Sequence, residues 1–162
     1  AAVDNRPAFG AINSRIGLTS DAQRFSPDTD IAAQVRKEVA DRGPDDPQLA
    51  CVLVDEAQFL TSQQVWQLAR LTDRDDIPVI CYGLRTDFQG RLFPGSAELL
   101  GIADKLVEMK AVCHCGRKAT MNQRVDDAGN PVTDGAQTEI GGNERYVAVC
   151  RRHFVRSPQA PI

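Results

Sequence analysis

Residues 51–60 read CVLVDEAQFL, in which an apolar run leads directly into two adjacent carboxylates, Asp55 and Glu56. A continuous apolar run of this length, from Leu49 to Val54, predicts a strand buried on both faces of a parallel sheet. Paired acids at a strand end occur in proteins that handle magnesium and phosphate, but they also occur as ordinary solvated strand ends. The pair therefore predicts the end of a strand and leaves its chemistry open.

The segments around this strand alternate between helical and strand patterns. Apolar residues at helical spacing predict a helix over residues 28–42, and a capping-box pattern at Thr61 and Gln64 predicts the start of a second helix. The elements predicted next are a buried strand, a short helix and a further strand, at residues 77–84, 96–103 and 106–112. This order predicts an open α/β sheet with right-handed crossovers.

Length and composition narrow the class of protein. The chain has 162 residues, of which 42% are hydrophobic and 25% are charged, as in a globular domain. A net charge of −3 argues against a broad basic surface for nucleic acid, and no apolar run approaches the roughly 18–20 residues that span a bilayer. Five cysteines, an odd number, fit a fully paired disulfide framework poorly and predict a reducing, cytoplasmic compartment.

Beyond Val112 the helical pattern stops, and short β-like pieces alternate with turn-rich segments. A β subdomain of this size buries too little apolar surface to be stable unaided. Two pairs of metal-ligand residues, in VCHCG and VCRRHF, are Cys113, Cys115, Cys150 and His153. They predict a structural zinc site, because four protein ligands leave no position for water. Incidental free cysteines remain the alternative, and His114 could compete as a ligand.

The two carboxylates suit phosphoryl transfer. An aspartate at a strand end can hold a hydrated magnesium ion, and the adjacent glutamate, on the other side of the strand, can accept a proton from an attacking hydroxyl. Such a site also needs a phosphate-binding loop of the pattern GxxxxGK[ST]. The 162 residues do not contain this pattern.

A resemblance to the zinc-containing thymidine kinases of the bacterial type rests on four segments in order: VLVDEAQFL, ICYGLRTDFQGRLFPGS, DKLVEMKAVCHCGRKA and IGGNERYVAVCRRHF. It runs from about Val3 to Phe154. It implies a RecA-like P-loop α/β domain with a mostly parallel sheet over residues 1–112. A small β zinc-ribbon subdomain with a substrate-binding loop would follow over 113–156, and a tail over 157–162.

The same resemblance implies an activity. An ATP-dependent nucleoside kinase of this family would transfer the γ-phosphate of ATP to the 5′-hydroxyl of thymidine in nucleotide salvage, using magnesium, with zinc in a structural role. A cytoplasmic homotetramer, inhibited by thymidine triphosphate, would be expected. The sequence would also lack the family's first strand and phosphate loop, so we expect the 162 residues alone to be inactive.

Site residues follow from the resemblance position by position. Glu56 would be the general base for the thymidine hydroxyl, and Cys113, Cys115, Cys150 and His153 match the zinc ligands. The residues beside the nucleotide, its phosphates or its magnesium would be Asp4, Arg6, Asp55, Glu56, Ala57 and Gln58. The residues of the thymine site would be Phe59, Leu84, Phe88, Phe93, Gln137, Thr138, Glu139, Ile140, Gly141 and Tyr146.

Some of these positions also have simpler interpretations. Phe88 and Phe93 could be core residues beneath a loop, and Arg6 could form a local ion pair with Asp4. Two other classes of protein also remain open, namely a fragment of a different P-loop ATPase and a non-catalytic zinc-ribbon interaction module. The zinc ligands and the aromatic loop argue against the ATPase, and the glutamate after the aspartate argues against the module. The missing phosphate loop favours the module.

Overall fold

The computed structural model of this chain describes residues 11–13, 17, 19–137 and 145–155. Contacts divide the chain between Gly83 and Leu84 into two compact units, called here the N-terminal unit and the C-terminal unit. The domain boundary predicted after residue 112 rests on a change of sequence pattern and stays a prediction.

The N-terminal unit combines two helices with short strands. Strands β3 (Val52–Val54) and β4 (Val79–Cys81), which precede and follow helix α2 (Ser62–Asp75) in the sequence, pair in parallel, so this unit has the predicted α/β character. No helix in the described part of the chain has the length and apolar content of a transmembrane span. In order, the elements of this unit are β1 (Ala11–Asn13), β2 (Thr19–Asp21), α1 (Ile31–Ala40), β3 (Val52–Val54), a 3-10 turn (Ala57–Phe59), α2 (Ser62–Asp75) and β4 (Val79–Cys81).

The start of α2 has the predicted capping box. The Thr61 hydroxyl accepts from the Gln64 backbone N–H at 3.2 Å, and the Gln64 side chain accepts from the Thr61 N–H at 3.0 Å. The Gln64 amide also donates to the backbone oxygens of Ser26 and Thr29, at 2.7 and 3.0 Å. One buried glutamine therefore both caps α2 and fastens the segment that leads into α1.

Burial of β3 and β4 differs from the prediction. In register, Leu53 lies opposite Ile80 and Val54 opposite Cys81. Val54 is 6% exposed, but Leu53 is 60% and Ile80 47% exposed. Leu53 and Ile80 are directly opposed and therefore share one face of the sheet, and that face is exposed. The prediction that the strand is buried on both faces is therefore wrong for the described residues. An apolar run predicts that a strand can be buried, but it does not specify what covers each face.

The C-terminal unit is mainly β structure, as predicted for the segment beyond Val112, and its strand pairs are antiparallel in the described residues. Its elements are α3 (Pro94–Ile102), β5 (Ala111–Val112), β6 (Lys118–Ala119), β7 (Met121–Val125), β8 (Pro131–Val132) and β9 (Tyr146–Val149). Its three-stranded sheet has the order β8-β7-β9, and its two-stranded sheet pairs β5 with β6.

Two predictions in this unit need correction. Helix α3 begins at Pro94 rather than Ser96, since a proline is readily accepted in the first turn of a helix. The predicted strand 106–112 is wrong except for Ala111 and Val112, which pair with β6 instead of a parallel neighbour. The apolar side chains before them are solvent-exposed, and a strand persists only where its backbone groups find a partner.

Candidate active site and metal centre

The two carboxylates lie just beyond the last residue of β3. Val54 ends the strand, Asp55 occupies a bend, and Glu56 adopts the left-handed conformation with φ 55° and ψ 38° before the 3-10 turn begins. The prediction that strand alternation points the two acids to opposite sides is therefore wrong. The chain has already left the extended conformation, and the turn sets the direction of each side chain.

The turn is fastened to the end of β4 by backbone hydrogen bonds. The Tyr82 N–H donates to the Val54 oxygen, and the Ala57 N–H donates to the Tyr82 oxygen, both at 2.8 Å. Ala57 and Gln58 are 1% and 2% exposed, whereas Asp55 is exposed and Glu56 half-buried. A buried turn thus presents two carboxylates at its accessible edge.

Neighbouring polar groups orient both acids. The Glu56 backbone N–H donates to Asp55 Oδ1 at 2.9 Å, and the Gln58 side-chain amide donates to Glu56 Oε2 at 2.5 Å. Gln58 was predicted to lie beside the nucleotide, and its observed contact is with the predicted base. Its role toward a nucleotide stays a prediction.

Gly83 allows the turn to pack closely against the chain after β4. A Cβ atom at this position would lie 2.6 Å from Gln58 Oε1 and 3.0 Å from the Gln58 nitrogen. A glycine inside a predicted strand, as Gly83 is in the segment 77–84, often marks a close approach of another backbone, and this signal could have identified the position from the sequence.

The backbone of Glu56 is unusual among the described residues. Besides glycines, only Glu56 and Asp76 have positive φ there. Asp76 caps the C-terminus of α2, where a left-handed residue is common. Glu56 ends no helix, and the conformation costs on the order of 1–2 kcal/mol for a residue with a Cβ. Residues held in such a backbone conformation are enriched at functional sites, and this makes Glu56 a candidate functional residue.

The residues predicted for the thymine site differ in burial. Phe88 is 1% and Phe93 4% exposed, whereas Leu84 is 42% exposed, and Phe59 and Tyr146 are half-buried. Phe59 belongs to the N-terminal unit and the other four to the C-terminal unit. Their role in a pocket stays a prediction. The other residues predicted for the nucleotide and thymine sites lie outside the described residues, namely Asp4, Arg6, Thr138, Glu139, Ile140 and Gly141.

Arg124 contacts two of these residues, although no sequence pattern points to it. Its guanidinium carbon lies 3.7 Å from the centre of the Phe88 ring. Its Nε and Nη2 donate to the Tyr146 hydroxyl at 3.2 and 3.0 Å, and Nη2 also donates to the Ala136 oxygen at 2.9 Å. A charged residue in a short strand would ordinarily be assigned to solvent, but Arg124 is 4% exposed.

Asp87 is a second buried charged residue that the sequence did not indicate. Its Oδ1 accepts from the backbone N–H groups of Gln89 and Arg91, both at 2.9 Å. Its Oδ2 accepts from the Gln137 side-chain amide at 3.0 Å. Gln137 was predicted to begin the loop that reads the base, and Asp87 ties its side chain to the loop that carries Phe88.

The predicted metal ligands come together in the C-terminal unit. The ligand atoms of Cys113, Cys115, Cys150 and His153 all lie within 4.8 Å of one another. His153 Nδ1 lies 3.5 Å from Cys113 Sγ and 3.6 Å from Cys150 Sγ, and the Cys115 and Cys150 sulfurs are 3.9 Å apart. Zinc bonds of about 2.3 Å to sulfur and 2.0–2.1 Å to nitrogen place tetrahedral ligand atoms roughly 3.5–3.8 Å apart. The distances fit a metal ion at the centre.

Two tight turns present these ligands. In the first, the Gly116 N–H donates to the Cys113 oxygen, and the Cys113 N–H donates to the Arg117 oxygen, both at 2.8 Å. Gly116 has φ 79°, which favours glycine at this point of the turn. In the second, the His153 N–H donates to the Cys150 oxygen at 2.9 Å. The ligand pairs are therefore held by local backbone geometry.

The Cys113 thiol is the acidic member of the cluster. Hydrogen bonds, above all from the Cys115 backbone and then from the Cys150 backbone and His153, lower its pKa to about 5, against the opposing effect of burial. At Cys115 the Arg117 backbone lowers the pKa, but burial and the neighbouring Cys113 and Cys150 side chains outweigh it and raise the pKa overall. A bound cation would favour the thiolate of each cysteine.

His114 is a neighbour of this cluster rather than one of its four members. Its Nδ1 lies 3.7 Å from Cys113 Sγ, and its ring stacks on His153 with centres 4.5 Å apart. Only His153, however, completes the set in which every ligand atom is near every other. The predicted grouping of three cysteines with His153 is therefore observed, and the four residues could hold a metal ion.

Comparison with known proteins identifies the family. The thymidine kinase family model matches residues 1–154. The thymidine kinase of Novosphingobium aromaticivorans is 64% identical over 154 residues, covering 95% of this chain and 78% of that protein. The thymidine kinase of Idiomarina loihiensis is 57% identical over 153 residues, covering 94% and 77%, and that of Agrobacterium fabrum 56% over 157 residues, covering 97% and 79%. The chain belongs to the thymidine kinase family.

Proposed function

We propose that this protein is an ATP-dependent nucleoside kinase that transfers the γ-phosphate of ATP to the 5′-hydroxyl of thymidine. The match of the thymidine kinase family model to residues 1–154 carries this proposal. Neither a different P-loop ATPase nor a non-catalytic zinc-ribbon module would explain that match. The proposed architecture is a RecA-like domain with a phosphate-binding loop, together with a zinc-ribbon subdomain.

In the proposed reaction, the thymidine 5′-oxygen attacks the γ-phosphorus of ATP. A new oxygen–phosphorus bond forms, the bond from the γ-phosphorus to the β,γ-bridging oxygen breaks, and ADP leaves. The proton of the attacking hydroxyl passes to a carboxylate. Catalysis of such a transfer depends mainly on positioning and on stabilising charge. The protein therefore needs a base at the hydroxyl and acidic groups for a cation at the phosphates.

Glu56 is proposed as the base. Its carboxylate is half-buried, and the Gln58 amide fixes one oxygen at 2.5 Å, so Oε1 can be directed at a hydroxyl. The Gln58 amide donates a hydrogen bond but cannot take the proton away from Glu56. The left-handed backbone at Glu56 supports this role, because strain of this kind is retained where the surrounding structure holds a reactive group.

Asp55 is proposed to hold magnesium through water. It is exposed and directly precedes the base, and magnesium favours one or two carboxylates while keeping several of its waters. When bound, magnesium would offset the negative charge of the phosphates. Asp4, Arg6, Ala57 and Gln58 are proposed to line the nucleotide on the basis of the family resemblance alone.

The C-terminal unit is proposed to read the base. Leu84, Phe88, Phe93, Tyr146 and the segment from Gln137 to Gly141 would line the thymine pocket, and Phe59 is proposed as a thymidine contact on the basis of the family resemblance alone. The metal cluster lies in the same unit as that segment, and zinc is the metal that three thiolates and an imidazole favour. A cytoplasmic homotetramer with thymidine triphosphate as inhibitor, and without nucleic-acid or membrane partners, completes the proposal.

The test uses protein expressed from the complete coding sequence. Incubation with ATP, magnesium and thymidine should yield thymidine monophosphate, detected by chromatography. Glu56→Gln should lower kcat by about 10²–10⁴-fold, because the amide cannot accept the proton, while the thymidine Kd changes little. Glu38→Gln, which alters an exposed acid on α1, is the matched control.

Two outcomes would contradict the proposal. A wild-type protein that phosphorylates no thymidine under these conditions would refute the function. Full turnover by Glu56→Gln would leave the kinase activity in place but remove Glu56 from the role of base.

A further inference from the structure

Arg124 is a buried cation outside the proposed catalytic residues. Its side chain packs on the Phe88 ring and donates to the Tyr146 hydroxyl and to the Ala136 oxygen. A buried charge is costly unless it is paired and hydrogen-bonded, so a buried arginine of this kind needs an explanation. Unlike the metal cluster and the acidic turn, it has no role in the function proposed above.

We propose that Arg124 is the positioning residue of the thymidine site, which sets the Phe88 ring and the Tyr146 phenol relative to each other. The proposal rests on the proposed function, because those two side chains are assigned to the thymine pocket there. Arg124 would not touch the reacting atoms. It would act through the two aromatic side chains that it contacts.

The place of Arg124 in the sheet suits this role. It lies on β7, the central strand, opposite Val132 of β8 on one side and Tyr146 of β9 on the other. A central strand is hydrogen-bonded along both edges, so it provides a firmly held base for a side chain. From that base the guanidinium reaches groups on three separate segments of the C-terminal unit.

The geometry also requires an arginine in particular. The guanidinium carbon lies 3.7 Å from the Phe88 ring centre, while Nε and Nη2 both donate to the Tyr146 oxygen. A lysine ammonium is a compact point charge and cannot stack a plane and present a fork of donors at the same time. Arg124→Lys therefore keeps the charge and removes the arrangement.

A second contact strengthens the hold on the same region. Arg124 binds the Ala136 oxygen, and the next residue, Gln137, donates its side-chain amide to Asp87. Asp87 adjoins Phe88 in sequence, so Gln137 is tied directly to the segment that carries the ring, and Ala136 is tied to it through Arg124. The start of the segment predicted to read the base is thereby fixed from two directions.

The experiment is steady-state kinetics on the full-length protein with wild type, Arg124→Lys, Tyr146→Phe and the double variant. Arg124→Lys should raise the KM for thymidine about tenfold, equivalent to about 1.4 kcal/mol, and leave the KM for ATP within about twofold. In the Tyr146→Phe background the same substitution should have a smaller effect, because the shared contact is already lost. Arg70→Met, at an exposed position on α2, is the control and should change neither constant.

Other outcomes would overturn the inference. An unchanged KM for thymidine in Arg124→Lys would refute it while leaving the kinase activity intact. Equal changes in the KM for thymidine and the KM for ATP, together with a lower melting temperature, would show that Arg124 has only a structural role. Fully additive effects of the two substitutions would refute action through Tyr146. A wild-type protein that phosphorylates no thymidine would refute both this inference and the proposed function.

Discussion

The N-terminal unit and the C-terminal unit bury different kinds of side chain. In the first, Leu60, Val65 and Leu71 are each at most 1% exposed, and aliphatic residues of the helices and strands supply most of the interior. In the second, one buried cluster consists of Cys113, Ala119, Val149 and Cys150, with three partly buried apolar residues packed against it, and Phe88 and Phe93 are also buried. Two of those four buried residues are candidate metal ligands, so this cluster offers little apolar area without a metal.

The buried polar residues show a similar contrast. Gln64 and Gln67 of α2 serve mainly to fasten the segment around α1, since the Gln67 side chain accepts from the Ile31 N–H at 3.0 Å. In the C-terminal unit, Asp87 and Arg124 instead fix residues assigned to substrate. The comparison indicates that apolar burial stabilises the first unit, whereas candidate metal ligands and a polar network distinguish the second.

The largest expected effect comes from breaking the metal cluster. Cys150→Ser should abolish stoichiometric metal binding and unfold the C-terminal unit, because metal binding of this kind supplies on the order of 10 kcal/mol to folding. Elemental analysis and limited proteolysis would measure the two effects. Cys51→Ser is the control, since Cys51 lies outside the cluster and should leave the metal bound. Retention of one metal per chain by Cys150→Ser would contradict the assignment.

A smaller effect is expected from the apolar core of the N-terminal unit. Leu71 is 0% exposed, and Leu71→Ala should lower the free energy of unfolding by about 2–5 kcal/mol through lost burial and a cavity. Urea unfolding followed by circular dichroism would measure it. Metal content should stay unchanged, and Leu53→Ala, at a position 60% exposed, should cost much less. Loss of metal from Leu71→Ala would contradict the conclusion that different interactions stabilise the two units.

The smallest effect should come from the polar network. In Asp87→Asn, the amide oxygen can still accept from the Gln89 and Arg91 N–H groups, but its NH₂ would face the donor of Gln137. We expect a loss of about 1 kcal/mol in stability and a several-fold rise in the KM for thymidine. Kinetics and thermal unfolding would measure them, with exposed Asp104→Asn as the control. A larger loss of stability than in Leu71→Ala would contradict this order.

Local sequence signals predicted part of this structure well. The capping box at Thr61 and Gln64 and the helical spacing around α1 depend on residues within one turn of each other, and both helices are present. The candidate metal ligands were also found from the sequence, because closely spaced cysteine and histidine residues carry a specific chemical signal. Their approach within 4.8 Å confirms the grouping.

Signals that depend on distant partners predicted less. The strand pattern at 106–112 does not reveal whether a neighbouring strand is available, and only its last two residues pair. The alternation expected at Asp55 and Glu56 fails because the strand ends one residue earlier. Arg124 could not be identified, because its partners come from positions far away in the sequence.

The prediction that the C-terminal unit depends on a bound metal is tested most directly by elemental analysis of the purified wild-type protein. Three thiolates and one imidazole, spaced as observed here, should hold one zinc ion per chain. Removing that ion with a chelator should expose the C-terminal unit to protease and abolish thymidine binding. A protein that contains no metal and still binds thymidine with an intact C-terminal unit would contradict this conclusion.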